Sequence, residues 1–310
     1  METSHHCRHR DGSPPARREF GTVLLLGTHP EESTAMSLGP NDLLLSSGTL
    51  NNPPPAELVR AALAGGYAGV VLWPGAYLAR EEIASDLASL RRRIEDGGLV
   101  LHDLDAIIVW AGPDDPGPPY YEEAEEHKTY AMADALGVHG VTVILHSRDA
   151  LSEDAASEAF AGTCDRAAEH GLTVHLEFSR ARTPGDIESA ARVVGAAGRS
   201  NGGLMVDAWH VHWGPGEFAD LLSIPGELVT GVQLCDAPAV EPAEYGNATR
   251  HHRLLPGAGV VKLDEMLGAL DAIGCQAPRC IEAFHTERVE QIGAVAYACE
   301  MADATRRLLG

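Results

Sequence analysis

The sequence predicts an α/β protein, a (β/α)8 or TIM barrel in a single domain behind an N-terminal extension. Three observations carry this. From Asp42 on, short apolar runs alternate with helix-length stretches through eight repeats, with Gly-rich turns between them. Four runs of the C-terminal half end in a group able to bind a metal through oxygen: Val174-His175-Leu176-Glu177, Leu204-Met205-Val206-Asp207, Gly231-Val232-Gln233 and Cys280-Ile281-Glu282. No GxGxxG follows the first run, so an open dinucleotide-binding sheet lacks its fingerprint.

The elements follow in order. Leu43–Ser46 reads as the first strand, with a helix from Ala56 to Leu63 and a second strand over Gly69–Trp73. A long helix from Arg80 to Glu95 leads to a third strand, Leu99–His102. The helix from Tyr121 to Leu136 precedes Val141–His146, and helix 153–169 precedes the strand ending at Glu177. Helix 184–197 leads to the Asp207 strand, and a short helix at 217–223 leads to the Gln233 strand. A connection holding Pro256-Gly257-Ala258-Gly259 and helix 262–273 leads to the Glu282 strand, and helix 287–308 closes the chain.

Composition sets the bounds. The chain has 310 residues, 45% of them hydrophobic, enough for one large core. Residues 1–40 mix His, Arg, Pro and Ser without periodicity and are expected to be poorly ordered, with the barrel over 41–310 and Met36 an alternative start. Val23–Leu26 is too short for a signal-peptide core, and no apolar run approaches a membrane span. Six cysteines without CxxC spacing fit free thiols in a reducing cytoplasm. A formal charge of -22 opposes nucleic acid and anionic membranes as partners and points to a small molecule. A homo-oligomer is compatible with such a barrel.

In a parallel barrel the C-terminal strand ends converge on one mouth. Glu177, Asp207, Gln233 and Glu282 would meet there from strands five to eight. Three carboxylates and an amide oxygen form a hard site suited to Mn²⁺ or Mg²⁺, with Co²⁺ as a further option. The competing reading gives the acids to Arg148, Arg180 or Arg253 as salt bridges. The other strand ends offer Trp73, His102 with Asp103, and His146 with Arg148 as groups that would line the mouth, and Trp110 and Trp209 as further walls. The Glu122, Glu123, Glu125 and Glu126 cluster reads as a solvated helix face.

Residues 171–216 and 229–285 resemble the xylose isomerase-like barrel superfamily of sugar phosphate isomerases and epimerases. The motifs are His175-Leu176-Glu177-Phe178, Asp207-Ala208-Trp209-His210, Val232-Gln233-Leu234-Cys235-Asp236, Arg253 through Pro256-Gly257-Ala258-Gly259, and Ile281-Glu282. The resemblance implies a divalent metal held by Glu177, Asp207, Gln233 and Glu282. It implies His210 as a substrate-contacting or proton-moving group, with His212 a weaker candidate, and Arg253 as a contact to substrate oxygens. Asp236 would orient such groups or cap the next segment. The superfamily's epimerases commonly carry His at the strand-seven position, whereas Gln233 is similar to dehydratases acting on 3-dehydroshikimate-like compounds. Endonuclease IV, also related, needs a His-rich zinc set and a basic groove that this chain lacks.

The expected function is a metal-dependent isomerase or epimerase of a sugar or keto-polyol, working through an enediolate. Glu177, Glu282 and His210 would be catalytic, and Arg253, His146, His102 and Trp73 would bind substrate. A dehydratase or lyase acting on a keto-polyol or 3-keto glycoside is the alternative, because an enediolate with a β-leaving hydroxyl expels water. A ligand-binding protein that retains the barrel without turnover is the third class.

Overall fold

The computed structural model describes residues 38–111 and 123–310. Residues 1–37 of the extension expected over 1–40, with the alternative start Met36, lie outside the described residues, as do the side chains of Glu122, Glu123 and Glu125.

Eight strands form the barrel: β1 (Leu43–Ser46), β2 (Gly69–Leu72), β3 (Val100–Trp110), β4 (Gly140–His146), β5 (Thr173–Glu177), β6 (Gly202–Asp207), β7 (Val229–Leu234) and β8 (Arg279–Ile281). Each pairs in parallel with the next, and β8 closes onto β1 through Leu44 opposite Cys280. Their near-continuous apolar composition suits strands covered on both faces. Val141, Val174, Leu204 and Val232 are all fully or almost fully buried. Around the barrel, Pro55–Gly65 packs against Ala294–Leu309, and the Tyr67 hydroxyl donates to the Ala298 carbonyl at 3.0 Å.

Three elements differ from the sequence expectation. The helix expected over 80–95 is split into Glu81–Ala84 and Leu87–Asp96, because Asp86 caps a new start by accepting from the Ser89 amide at 3.0 Å. The closing helix breaks into Thr286–Ile292 and Ala294–Leu309 at Gly293, whose φ of 84° is a conformation that a side chain disfavours. Most consequential is β3, which does not stop at His102 but runs on to Trp110. The polar residues of His102-Asp103-Leu104-Asp105 look like a strand end. Asp103 and Asp105 are instead buried, at 5% exposure each. The β3–β4 register shifts between Leu104 and Ile107, and the apolar run Ile107–Val109 continues the strand.

The interior therefore carries a polar cluster near the N-terminal ends of the strands. Asp103 Oδ2 lies 2.6 Å from His102 Nδ1 and 3.6 Å from His175 Nε2. Gly140 makes room for it, since a Cβ there would stand 2.4 Å from His175 Nε2.

Candidate active site

Asp207 ends β6 and also caps the short helix Ala208–His212, where its Oδ1 accepts from the Trp209 amide at 2.8 Å. That leaves Oδ2 for other partners. Because the helix starts immediately, His210 turns back over the strand end. Its Nε2 lies 3.6 Å from Asp207 Oδ2 and 3.8 Å from Glu177 Oε1, while its Nδ1 meets the Tyr245 hydroxyl at 3.0 Å. Glu177, Asp207 and His210 each offer one ligand atom, all within 4.8 Å of one another. The first two were expected as metal ligands, and His210 joins them by geometry.

Arg253 reaches the same place from an extended segment. Leu254 and Asp236 exchange backbone hydrogen bonds at 2.8 and 2.9 Å, and the Arg253 amide donates to the Phe284 carbonyl at 2.8 Å. Asp236 caps the following loop as anticipated, accepting from the amides of Gly257, Gly259 and Val261 at 2.8–3.0 Å. So held, the Arg253 guanidinium donates through Nη1 to Asp207 Oδ2 at 2.8 Å and to the Glu282 carbonyl at 3.1 Å, with Glu282 Oε2 at 3.5 Å. It is 1% exposed. Of the arginines weighed as salt-bridge partners of the acids, Arg253 takes that part with Asp207 and Glu282, while Arg180 pairs with Glu241 and stacks on Tyr245.

Gln233 lies opposite Asp207 on one side and Cys280 on the other, and Glu282 follows β8 directly. The four expected ligands are all buried, on neighbouring strands. The structure adds a fifth group that sequence reasoning missed, Asp105 of β3. Its Oδ2 accepts from Gln233 Nε2 at 2.6 Å. The available signal was the i, i+2 spacing of Asp103 and Asp105, which puts both on one face once the strand is read as continuing.

So many carboxyl groups in one dry place resist ionisation together. Burial, then the charges of Asp207 and Asp103, push Asp105 up to about 7. Burial, followed by Asp105, drives both Glu177 and Glu282 well above the usual carboxylate range. Burial also lowers His210 to about 4, which leaves the ring neutral at pH 7. Burial opposes the charge of Arg253, but Asp207 and its other neighbours outweigh it and hold the guanidinium ionised.

These groups open onto a cavity of ≈ 500 Å³, a size that suits a small polyol. Glu177, Glu282, Asp105, His210 and Arg253 line it, and Trp73, Ile108, Tyr245 and Phe284 give it an apolar wall. Trp73 thus stands at the mouth as expected, edge-on to Phe284 at 5.3 Å. His146 ends β4 beside Trp110 and touches Arg182, which lines the cavity; His146 itself does not. His102 is not brought to the mouth. Because β3 continues past it, it lines a separate cavity with His139 and Thr173, at the N-terminal ends of the strands. Trp209 is fully buried and donates to Thr249 at 2.9 Å, so it is core rather than wall. His212 packs against Trp213 at 4.5 Å and is also absent from the cavity lining.

The donor chemistry fits a divalent cation. Gln233 Oε1 is buried without a hydrogen-bond partner among the described residues, and a carbonyl oxygen left so is costly unless a cation or donor meets it. The His210 contacts to Glu177 and Asp207 are too long for hydrogen bonds, so the three groups converge without satisfying one another.

Residues 59–305 match the family described as xylose isomerase-like TIM barrel. The chain belongs to that family. The chain is 29% identical over 192 residues to an inosose isomerase of Bacillus velezensis, covering 59% of this chain and 67% of that protein. It is 31% identical over 169 residues to a 3-dehydroshikimate dehydratase of Pseudomonas aeruginosa, covering 53% of this chain but only 26% of the dehydratase. Among solved structures, the IOLI protein with a zinc atom superposes with a TM-score of 0.71 at 21% identity, over 86% of this chain and 96% of that one. A D-allulose 3-epimerase from Methylomonas sp. superposes at 0.64 with 14% identity, over 87% and 96%. The relatives of this xylose isomerase-like barrel are thus enzymes: isomerases, epimerases and dehydratases. No helix among its described residues is long and apolar enough to cross a membrane.

Proposed function

We propose that this xylose isomerase-like barrel is a divalent metal-dependent isomerase or epimerase of a keto-polyol or sugar. The observation that carries the reading is the convergence of Glu177, Asp207 and His210, with Glu282 on the same cavity and the oxygen of Gln233 without a partner. Glu177, Asp207, Gln233 and Glu282 would hold the ion, Mn²⁺ or Mg²⁺ by their hard donors, with Co²⁺ also compatible. A zinc atom in the IOLI structure supports a divalent ion at such a site. The bound ion supplies positive charge that stabilises negative charge on adjacent hydroxyl and carbonyl oxygens of a substrate.

The chain's own groups would do the proton chemistry. Glu177 and Glu282 enter from β5 and from just past β8, with β6 and β7 between them. Their raised proton affinity suits carboxyls that take a proton from carbon and return it. Removal on one face and return on the other inverts a centre; return to the neighbouring carbon isomerises. Neutral His210, fixed by Tyr245, would hydrogen-bond a substrate oxygen or pass a proton. Arg253 stays charged among the acids and would hold developing negative charge on oxygen, within a cavity walled by Trp73 and Phe284.

The second reading is a dehydratase. It is favoured by the 31% match to 3-dehydroshikimate dehydratase and by Gln233 at the strand-seven position. The same carbanion would then expel a β-hydroxyl, which Glu177 or Glu282 protonates. A single experiment addresses both readings. Metal content is measured in wild type and in Glu177→Gln with Glu282→Gln, alongside solvent deuterium uptake by keto-polyols and keto-sugars in D₂O. About one ion per chain, lost in the double variant, with metal-dependent exchange is the expected result; the product separates epimer from alkene. No ion and no exchange after supply of Mn²⁺ or Mg²⁺ would sink the reading.

A further inference from the structure

Gln233 and Asp105 meet inside the barrel from strands that do not touch, β7 and β3. Both side chains are almost fully buried, and among the described residues the 2.6 Å contact from Gln233 Nε2 to Asp105 Oδ2 is the one side-chain hydrogen bond the amide makes. Asp105 Oδ2 accepts from Nε2 in the structure, so the contact turns the nitrogen half of the amide toward Asp105. Nε2 is committed, and Oε1 remains as a buried oxygen without a partner. That choice matters, because an amide binds a hard divalent ion through oxygen and has no lone pair to offer on nitrogen. Where an imidazole is the ligand, a carboxylate accepting from the far ring nitrogen fixes orientation in the same way. The β3–β4 register shift between Leu104 and Ile107 falls on Asp105, so the backbone irregularity and the contact coincide.

Resting on the metal reading above, we propose that Asp105 is a positioning residue: by holding Gln233 Nε2 it presents Gln233 Oε1 to the divalent ion. Asp105 then acts on the ion through Gln233, which distinguishes it from the ligands themselves.

The test uses Mn²⁺ dissociation constants of the full chain, read from the electron paramagnetic resonance of free Mn²⁺. Asp105→Asn and Asp105→Leu are compared in the Gln233 background and in Gln233→Ala. Both variants remove the same charge, but only asparagine can still accept from Nε2. The expected result is that D105L binds Mn²⁺ about 10- to 100-fold more weakly than D105N when Gln233 is present. In Gln233→Ala the two should bind alike. Equal affinities of D105L and D105N beside Gln233 would overturn the inference, as would an unchanged gap in Gln233→Ala. Asp105→Ala takes the place of D105L if circular dichroism shows that leucine prevents folding. Wild type without Mn²⁺ binding overturns the metal reading itself and this inference with it. That outcome is distinct from a binding wild type whose two variants are equal.

Discussion

The Arg253 guanidinium donates to Asp207 Oδ2 across 2.8 Å, with the arginine 1% and the aspartate 0% exposed. A charge pair this deep contributes little net stability as a pair, but removal of one partner strands the other. Arg253→Met should therefore lower stability by about 3–5 kcal/mol, read from urea unfolding of the metal-free protein. Arg253→Lys should recover only part of it, since an ammonium cannot also reach the Thr249 carbonyl in the planar geometry that Nε uses at 2.8 Å. A lysine variant as stable as wild type would show that charge alone suffices.

Replacing the two glutamates one at a time separates their duties. Glu177→Gln and Glu282→Gln should each lower turnover by about 10²–10⁴-fold, the range for loss of a positioned acid or base. An epimerase that takes and returns the proton with different carboxyls would show an asymmetry. One variant would still wash deuterium into one epimer while losing turnover. Exchange at the wild-type rate in both variants would remove them from the chemistry.

Asp105 makes stability depend on pH. Its folded pKa of about 7 lies above the ordinary aspartate value, so between the two the folded state binds more protons than the unfolded one. This contribution is fully present below the unfolded pKa and is lost as pH rises through 7. Metal-free wild type should melt higher at pH 5 than at pH 8. Asp105→Asn should narrow that gap by raising the pH 8 midpoint a few degrees, an effect on the order of 1 kcal/mol. A calorimetric gap identical in the variant would place the strain elsewhere among the acids.

Divalent ions should act most strongly where the carboxylates are ionised. At 100 times its dissociation constant, Mn²⁺ should stabilise the fold by about 2.7 kcal/mol, and chelation should reverse this. The affinity itself should rise from pH 6 to pH 8, because Asp105, Glu177 and Glu282 must shed protons that burial makes them keep. Calorimetric titration at the two pH values checks the sign.

His102 should prove structural. Burial disfavours its charge, but the charge and hydrogen bond of Asp103 outweigh this and raise its pKa. Its stabilisation is thus present below the unfolded histidine pKa and fades as pH rises through the folded one. His102→Gln should lower the melting temperature more at pH 5.5 than at pH 9 and leave the KM for any turned-over substrate unchanged. A raised KM would bring it back into substrate binding.

Much of this protein was legible in the chain itself. Runs of buried apolar residues at helix-length intervals specify the strands, since a backbone covered on both faces needs little else. A carboxylate or amide at the end of such a run is conspicuous because its burial needs compensation, and that marks Glu177, Asp207, Gln233 and Glu282. The tertiary structure decided what depends on contacts between distant strands. His102-Asp103-Leu104-Asp105 reads locally as a strand end. His102 partners Asp103 locally, but His175 of β5 beside Asp103 and Gln233 of β7 on Asp105 are brought round by closure of the barrel. The same closure gives Arg253 to Asp207 and Glu282, and brings Glu177 of β5 beside the His210 that the local helix start turns back.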